Sequence, residues 1–168
     1  MRQIDYDGLL MCRIQGKIFE MSLDFLNCSS PVFIKKYMYS EDAKSMDICN
    51  FLNKSKSDIQ VLEDIKDNSY GSIRYSKDEL YWIGYIYRYF AYTYELSSKY
   101  IFKCINGVSL KELYYTYHTF DPSNAIERIV EDYNIGLNNI DTLIIKSENI
   151  ITKMLWWIKG VNNYEYMY

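Results

Sequence analysis

The feature that most constrains the fold is a capped, amphipathic stretch that begins at Ser76. Ser76 and Glu79 have the spacing of a capping box, in which each side chain accepts a hydrogen bond from a backbone N–H left over at a helix start. Apolar residues then recur at helical spacing for about seven turns, up to Gly107. They are Leu80, Ile83, Tyr87, Phe90, Ala91, Tyr94, Ile101, Phe102 and Ile105. The pattern predicts a long central helix over about residues 77–106.

Shorter helices are predicted on both sides of the central one. Their start signals are Ser29–Ser30–Pro31, Ser40, Ser57, Ser109 with Glu112, and Asp121–Pro122. The N-terminal segment CRIQGKIFEMS allows two interpretations. Ile14 and Ile18 have helical spacing, but Gly16 weakens a helix, so a short strand remains an alternative. The predicted fold class is mainly α, a single-domain helical bundle around the central helix.

Length and glycine and proline content predict one domain over residues 1–168. The 168 residues suit a single hydrophobic core, and 2 prolines and 7 glycines form no linker. Residues 133–168 read as a C-terminal helix, ended by Gly160, and a tail. Within it, Trp156 and Trp157 are about 100° apart around a helix. One of the two is therefore expected to be exposed or covered by a partner.

Net charge and cysteine spacing argue against several kinds of partner. A net charge of −3 argues against nucleic acid and against an anionic membrane, since both need a basic surface. No uncharged apolar run reaches the length of a bilayer span. Cys12, Cys28, Cys49 and Cys104 contain no close pair of the zinc-binding kind, and the chain has one histidine. We therefore expect no metal, no cofactor and reduced thiols in a cytoplasmic protein, since no secretory leader is visible.

The sequence offers no set of catalytic residues. It lacks the glycine-rich nucleotide motifs, the nucleophile elbow and the HExxH zinc motif. Helical ribonucleases of the HEPN class use an arginine followed a few positions later by a histidine. After Arg88, however, the chain has Thr93 and Tyr94 at that spacing, so the imidazole for acid–base catalysis is missing. We predict that the protein is not an enzyme.

One face of the central helix is rich in tyrosine and arginine. It is formed by Tyr85, Arg88, Tyr92, Glu95 and Lys99, which step by three and four residues. Tyrosine and arginine dominate protein-interface hot spots, so this face is a candidate partner-binding surface. Two alternatives stay open: the tyrosines pack in the core beside an Arg88–Glu95 ion pair, or the face stacks single-stranded bases.

A second aromatic segment runs from Tyr114 to Pro122. Tyr114, Tyr117 and His118 are its candidate partner-binding residues, together with Trp156 and Trp157 near the C-terminus. A lone histidine before a helix cap is also typical of a structural hydrogen bond. The segment therefore has a binding interpretation and a structural one.

Three strings of the sequence resemble a family of small proteins of low-GC bacteria. They are SPVFIKKYMYSEDAKSMD, YSKDELYWIGYIYRYFAYTYELSSKYIFK and YHTFDPSNAIERI, within a resemblance that spans about residues 10–132. Genes of that family lie beside genes for proteins with an ADP-ribosyltransferase-like fold, in an arrangement that resembles toxin–antitoxin modules. The resemblance carries no catalytic assignment.

The resemblance implies an antitoxin-like protein that neutralises a cognate toxin by direct binding and occlusion. This agrees with a helical chain that has aromatic candidate surfaces and no catalytic set. The alternatives are a nucleic-acid-binding or regulatory module that uses the aromatic and arginine face, and a homodimeric scaffold closed by exposed aromatic side chains.

Overall fold

The computed structural model describes residues 1–48, 56–66 and 71–136, and these residues form helices and contain no strand. In chain order the helices are α1 (Tyr6–Phe25), α2 (Ser30–Met38), α3 (Glu41–Asp47), α4 (Asp58–Ile65), α5 (Lys77–Tyr94), α6 (Ser98–Cys104), α7 (Gly107–Glu112), α8 (Tyr114–Tyr117) and α9 (Pro122–Asp132). The mainly α, single-domain prediction is confirmed. The segment that allowed a short N-terminal strand lies inside α1.

The predicted helix over residues 77–106 is wrong at its C-terminal end. It starts as expected, with a complete Ser76–Glu79 capping box, but α5 ends at Tyr94. Glu95 adopts a left-handed conformation with φ of 56°, and Ser97 caps the next helix by accepting from Tyr100 N. The signal for this break is the serine, whose side chain competes for backbone donors and so favours a helix start.

Four other predicted helix starts can be compared with the structure. Ser109 and Glu112 do not start a helix, because Asn106 caps α7 by accepting from the N–H groups of Val108 and Ser109. The predicted starts at Ser40, Ser57 and Asp121 are confirmed, each with a side-chain oxygen that accepts from a backbone N–H.

Helix α1 packs along α5, and glycines allow the two backbones to approach closely. A Cβ added at Gly84 would lie 2.8 Å from the carbonyl oxygen of Gln15 and 2.8 Å from Cγ of Phe19. On the facing helix, a Cβ at Gly16 would lie 3.0 Å from the ring of Tyr81. The absence of a side chain at position 84 therefore lets α1 approach α5 closely.

The core lies between α1, α2 and α5. Its aromatic centre is Phe19, whose ring makes edge contacts with Phe33 and Tyr37 at centroid distances of 5.0 and 4.9 Å. The apolar stripe of α5 faces this core. Its fully buried members include Leu80, Ile83, Tyr87 and Phe90. Helices α7 and α9 also pack against α5, and α7 contacts α2 as well.

Candidate protein-binding surface

Arg88, which the sequence placed on a partner-binding face, lies in the interior with 1% of its surface exposed. Its Nη1 donates to Oδ1 of Asp47 over 2.7 Å, and its Nε donates to Oε1 of Gln15 over 2.9 Å. Its Nη2 donates to Oγ of Ser98 over 2.8 Å and to the carbonyl of Ala43. All three guanidinium nitrogens are thus used inside the fold.

The predicted ion pair between Arg88 and Glu95 is wrong. Asp47 of α3 takes that place, because the turn after α5 carries Glu95 out of the helical register. Glu95 is exposed and lies 3.9 Å from Nη1 of Arg2. Lys99 belongs to α6, where its ammonium lies 5.4 Å from the ring centroid of Tyr39. The five residues therefore do not share one helix face.

Tyr92 is covered by the N-terminal segment of the chain. Its hydroxyl donates to Asp5 over 2.7 Å, and the guanidinium of Arg2 lies over its ring at 4.6 Å from the centroid. The backbone N–H of Arg2 also bonds to the carbonyl of Thr93. The hydrogen bonds from Tyr92 and Gly8 hold the pKa of Asp5 below its usual value. This end of α5 is therefore covered by residues of the same chain.

Tyr85 lies half-buried in a ladder of tyrosines along α5. Its ring stacks on Tyr81 and Tyr89, one helical turn away on either side, at centroid distances of 6.2 and 6.3 Å. Burial raises the pKa of Tyr85 to about 12. The phenol therefore stays neutral at physiological pH and offers a hydrogen-bonding group rather than a charge.

The second predicted segment does form an aromatic surface. The ring of Tyr114 stacks on His118 at 4.6 Å, meets the edge of Tyr115 at 5.3 Å and meets Trp82 of α5 at 5.6 Å. His118 is exposed, and Tyr115 has 73% of its surface exposed. We call Trp82, Tyr114, Tyr115 and His118 the α8 patch.

Within the α8 patch, His118 has the structural bond that its position suggested. Its Nδ1 lies 2.9 Å from the carbonyl oxygen of Tyr114, and this contact fixes the imidazole over the tyrosine ring. Tyr117 points the other way. It is 8% exposed, and its hydroxyl donates to Asp132 over 2.8 Å, which ties α8 to α9. Tyr117 thus supports the patch from beneath and is not part of it.

Carboxylates border the α8 patch. Burial and the negative charges of Asp78 and Glu79 raise the pKa of Tyr114. Burial and the charges of Glu79 and Glu112 likewise raise the pKa of Tyr75. Lys111 lies among these groups, 3.5 Å from Glu79 and 5.9 Å from the ring centroid of Tyr115. The local charge at this end of the bundle is negative.

A shallow cleft of about 400 Å³ lies along α9. It is lined by Phe120, Asn124, Glu127, Arg128 and Glu131. The guanidinium of Arg128 lies 5.9 Å from the ring centroid of Phe120, which is 42% exposed. A cation of the same chain therefore already lies near the aromatic ring of this cleft.

The part of the chain that is described holds no group of three or more His, Cys, Asp or Glu side chains that could bind a metal ion, and no helix in it is long and apolar enough to cross a membrane. Burial raises the pKa of the Cys12 thiol to about 12, which leaves it protonated and a weak nucleophile. Trp156 and Trp157 lie outside the described residues.

Sequence reasoning missed Trp82 and the carboxylates around it. Trp82 lies within the predicted α5, but its contact with Tyr114 joins residues far apart in the sequence, and periodicity carries no such information. Comparisons with known protein families, with curated proteins and with solved structures find no match to this chain.

Proposed function

We propose that this chain is an antitoxin-like binding protein that neutralises a cognate toxin by direct contact and occlusion. The observation that carries the proposal is the α8 patch, in which four aromatic side chains meet at an exposed end of the bundle. Large aromatic residues contribute much of the binding energy at protein interfaces because they bury a large area at low entropic cost. The resemblance to proteins encoded beside ADP-ribosyltransferase-like toxins supplies the class of partner.

Of the two candidate surfaces, the α8 patch is better suited to contact the toxin. Arg88 and Tyr92 have their hydrogen bonds inside the chain, so binding through them would first require those bonds to break. Tyr115 is already exposed, and binding would only desolvate it. We therefore propose that Tyr114, Tyr115 and His118, with Trp82, form the contact.

Co-expression with an ADP-ribosyltransferase-like protein encoded by a gene adjacent to that of this chain tests the proposal. We expect rescue of growth and a complex that survives gel filtration. Tyr115→Ala should weaken the complex by roughly 30- to 1000-fold, the usual effect of losing a hot-spot side chain. Tyr6→Ala is a matched control, since Tyr6 is 75% exposed and Tyr115 is 73% exposed.

The two alternative functions give different outcomes in the same experiment. A homodimer closed by the α8 patch would become a monomer in the Tyr115→Ala variant without any toxin present. Nucleic-acid binding would weaken steeply as salt is raised, because phosphate contacts release counterions. Absence of both rescue and a complex would overturn the proposal.

A further inference from the structure

We propose that the α8 patch recognises arginine or lysine side chains on a basic segment of the partner protein. The inference rests on the proposed function, since it names the chemistry of the protein that the patch would contact. It is carried by the juxtaposition of exposed aromatic rings and carboxylates at one end of the bundle.

The aromatic rings supply one half of the recognition. A guanidinium or an ammonium is attracted to the electron-rich face of an aromatic ring within about 6 Å of its centroid. Tyr115 is largely exposed, and Trp82 and Tyr114 are partly exposed beside it. Tryptophan is the strongest cation–π acceptor among the side chains, and tyrosine also serves.

The bordering carboxylates supply the other half. Glu79 is 9% exposed at its side chain and is engaged by Lys111, but Asp78 and Glu112 are both exposed. In the described part of the chain, no basic side chain lies within ion-pair distance of either of these two. In the described part of the chain these two carboxylates have no ion-pair partner, so they favour a cationic over an anionic ligand.

At another site in the same chain, an aromatic ring beside carboxylates already binds an arginine side chain. At the N-terminus, the guanidinium of Arg2 lies 4.6 Å from the ring centroid of Tyr92 while Nη2 binds Asp5 at 2.8 Å and Nη1 lies 3.9 Å from Glu95. An aromatic face flanked by two carboxylates is thus occupied by an arginine. The α8 patch combines similar groups: Asp78 acts electrostatically on Tyr114, and Glu112 precedes the exposed Tyr115 by three residues in the chain.

A short peptide tests the charge preference without the partner. The Cε1–H proton of His118 gives a unique NMR signal, since the chain has one histidine, and its ring lies against Tyr114. We expect the peptide Gly-Arg-Gly-Arg-Gly to shift this signal in a saturable way and Gly-Glu-Gly-Glu-Gly to leave it unchanged. The double variant Asp78→Asn with Glu112→Gln should weaken binding of the arginine peptide about fivefold.

Glu63→Gln is the control for the charge variants, since Glu63 is an exposed glutamate on α4. The inference is overturned if the arginine peptide causes no shift, if the glutamate peptide causes an equal one, or if the double variant binds as well as the parent chain. These outcomes are separate from the co-expression result. Rescue that depends on Tyr115 but is insensitive to the double variant would leave the proposed function standing and the cation preference refuted.

Discussion

Arg88 and Asp47 form a buried ion pair, with Nη1 of the arginine 2.7 Å from Oδ1 of the aspartate and side-chain exposures of 1% and 4%. Taking two charges out of water is costly unless their remaining polar atoms are also bonded. Here they are, because Oδ2 of Asp47 accepts from the backbone N–H of Ser98, and Gln15 accepts from the arginine Nε. The pair therefore holds α3, α5, α6 and α1 in one arrangement.

Breaking this pair should destabilise the fold strongly. Arg88→Met removes the cation but leaves Asp47 buried without its ion-pair partner, so we expect the free energy of unfolding to fall by about 3–5 kcal/mol. Urea denaturation measures the change. Lys17→Met is the control, because the Lys17–Glu20 pair on α1 is exposed and should contribute less than about 1 kcal/mol. Equal losses in the two variants would contradict the assigned role of Arg88.

Two buried serines should respond to alanine in opposite directions. Oγ of Ser45 is buried and has no hydrogen-bond partner among the residues that the structure describes, whereas Oγ of Ser98 bridges Arg88 and Asp47. Ser45→Ala removes an unsatisfied hydroxyl and improves helix propensity, so it should raise stability by about 1 kcal/mol. Ser98→Ala should lower stability by about 1–3 kcal/mol. Thermal unfolding of the two variants tests both predictions. A loss of stability in Ser45→Ala would contradict the first.

Local sequence signals predicted the start of α5 and the helical class because capping and periodicity act within a few residues. Ser76, Glu79 and Asp121 do what their spacing suggested. The end of α5 was missed because the apolar stripe resumes in α6 after the turn at Glu95, in nearly the same phase. A periodic pattern cannot distinguish one helix from two that pack on the same core.

The candidate surfaces were harder to predict because burial depends on partners distant in the sequence. Arg88 lies on a helix face that looks polar, but Asp47 and Gln15 approach it from α3 and α1. The exposure of Tyr115 and its position near Trp82 likewise follow from the packing of α8 on α5. The sequence identified two tyrosine-rich segments. Only the tertiary contacts show that the one around Arg88 is buried and the one around Tyr115 is exposed.

The close approach of α1 and α5 should make Gly84 intolerant of any side chain. Glycine to alanine inside a helix normally gains about 1 kcal/mol. At this position the new Cβ would lie 2.8 Å from both the Gln15 carbonyl oxygen and the Phe19 ring, so we expect a net loss of about 1–3 kcal/mol. Urea denaturation measures it, and Asn124→Ala at an exposed site of α9 is the control for helix propensity alone. A stabilised Gly84→Ala variant would mean that the helices can separate at little cost.

The contact between Asp5 and Tyr92 should make stability depend on acid pH. The Tyr92 hydroxyl, with Gly8 N–H, lowers the pKa of Asp5 below its usual 3.8. Because the carboxyl is more acidic in the folded chain, its stabilising contribution is complete above the unfolded pKa and is lost as pH falls through the lower folded value. As the pH is lowered below about 4, we expect the urea midpoint to decrease more for the parent chain than for Asp5→Asn.

Two further variants assign that pH dependence to the contact itself. Tyr92→Phe removes the hydroxyl that contributes most to lowering the Asp5 pKa, so it should reduce the acid-dependent loss in the same way as Asp5→Asn. Glu63→Gln removes a carboxylate on α4, away from this contact, and serves as the control for a simple change of net charge. Urea midpoints measured from neutral pH to pH below about 3 compare the four chains. If Tyr92→Phe keeps the full slope of the parent chain, the hydroxyl does not stabilise the Asp5 carboxylate.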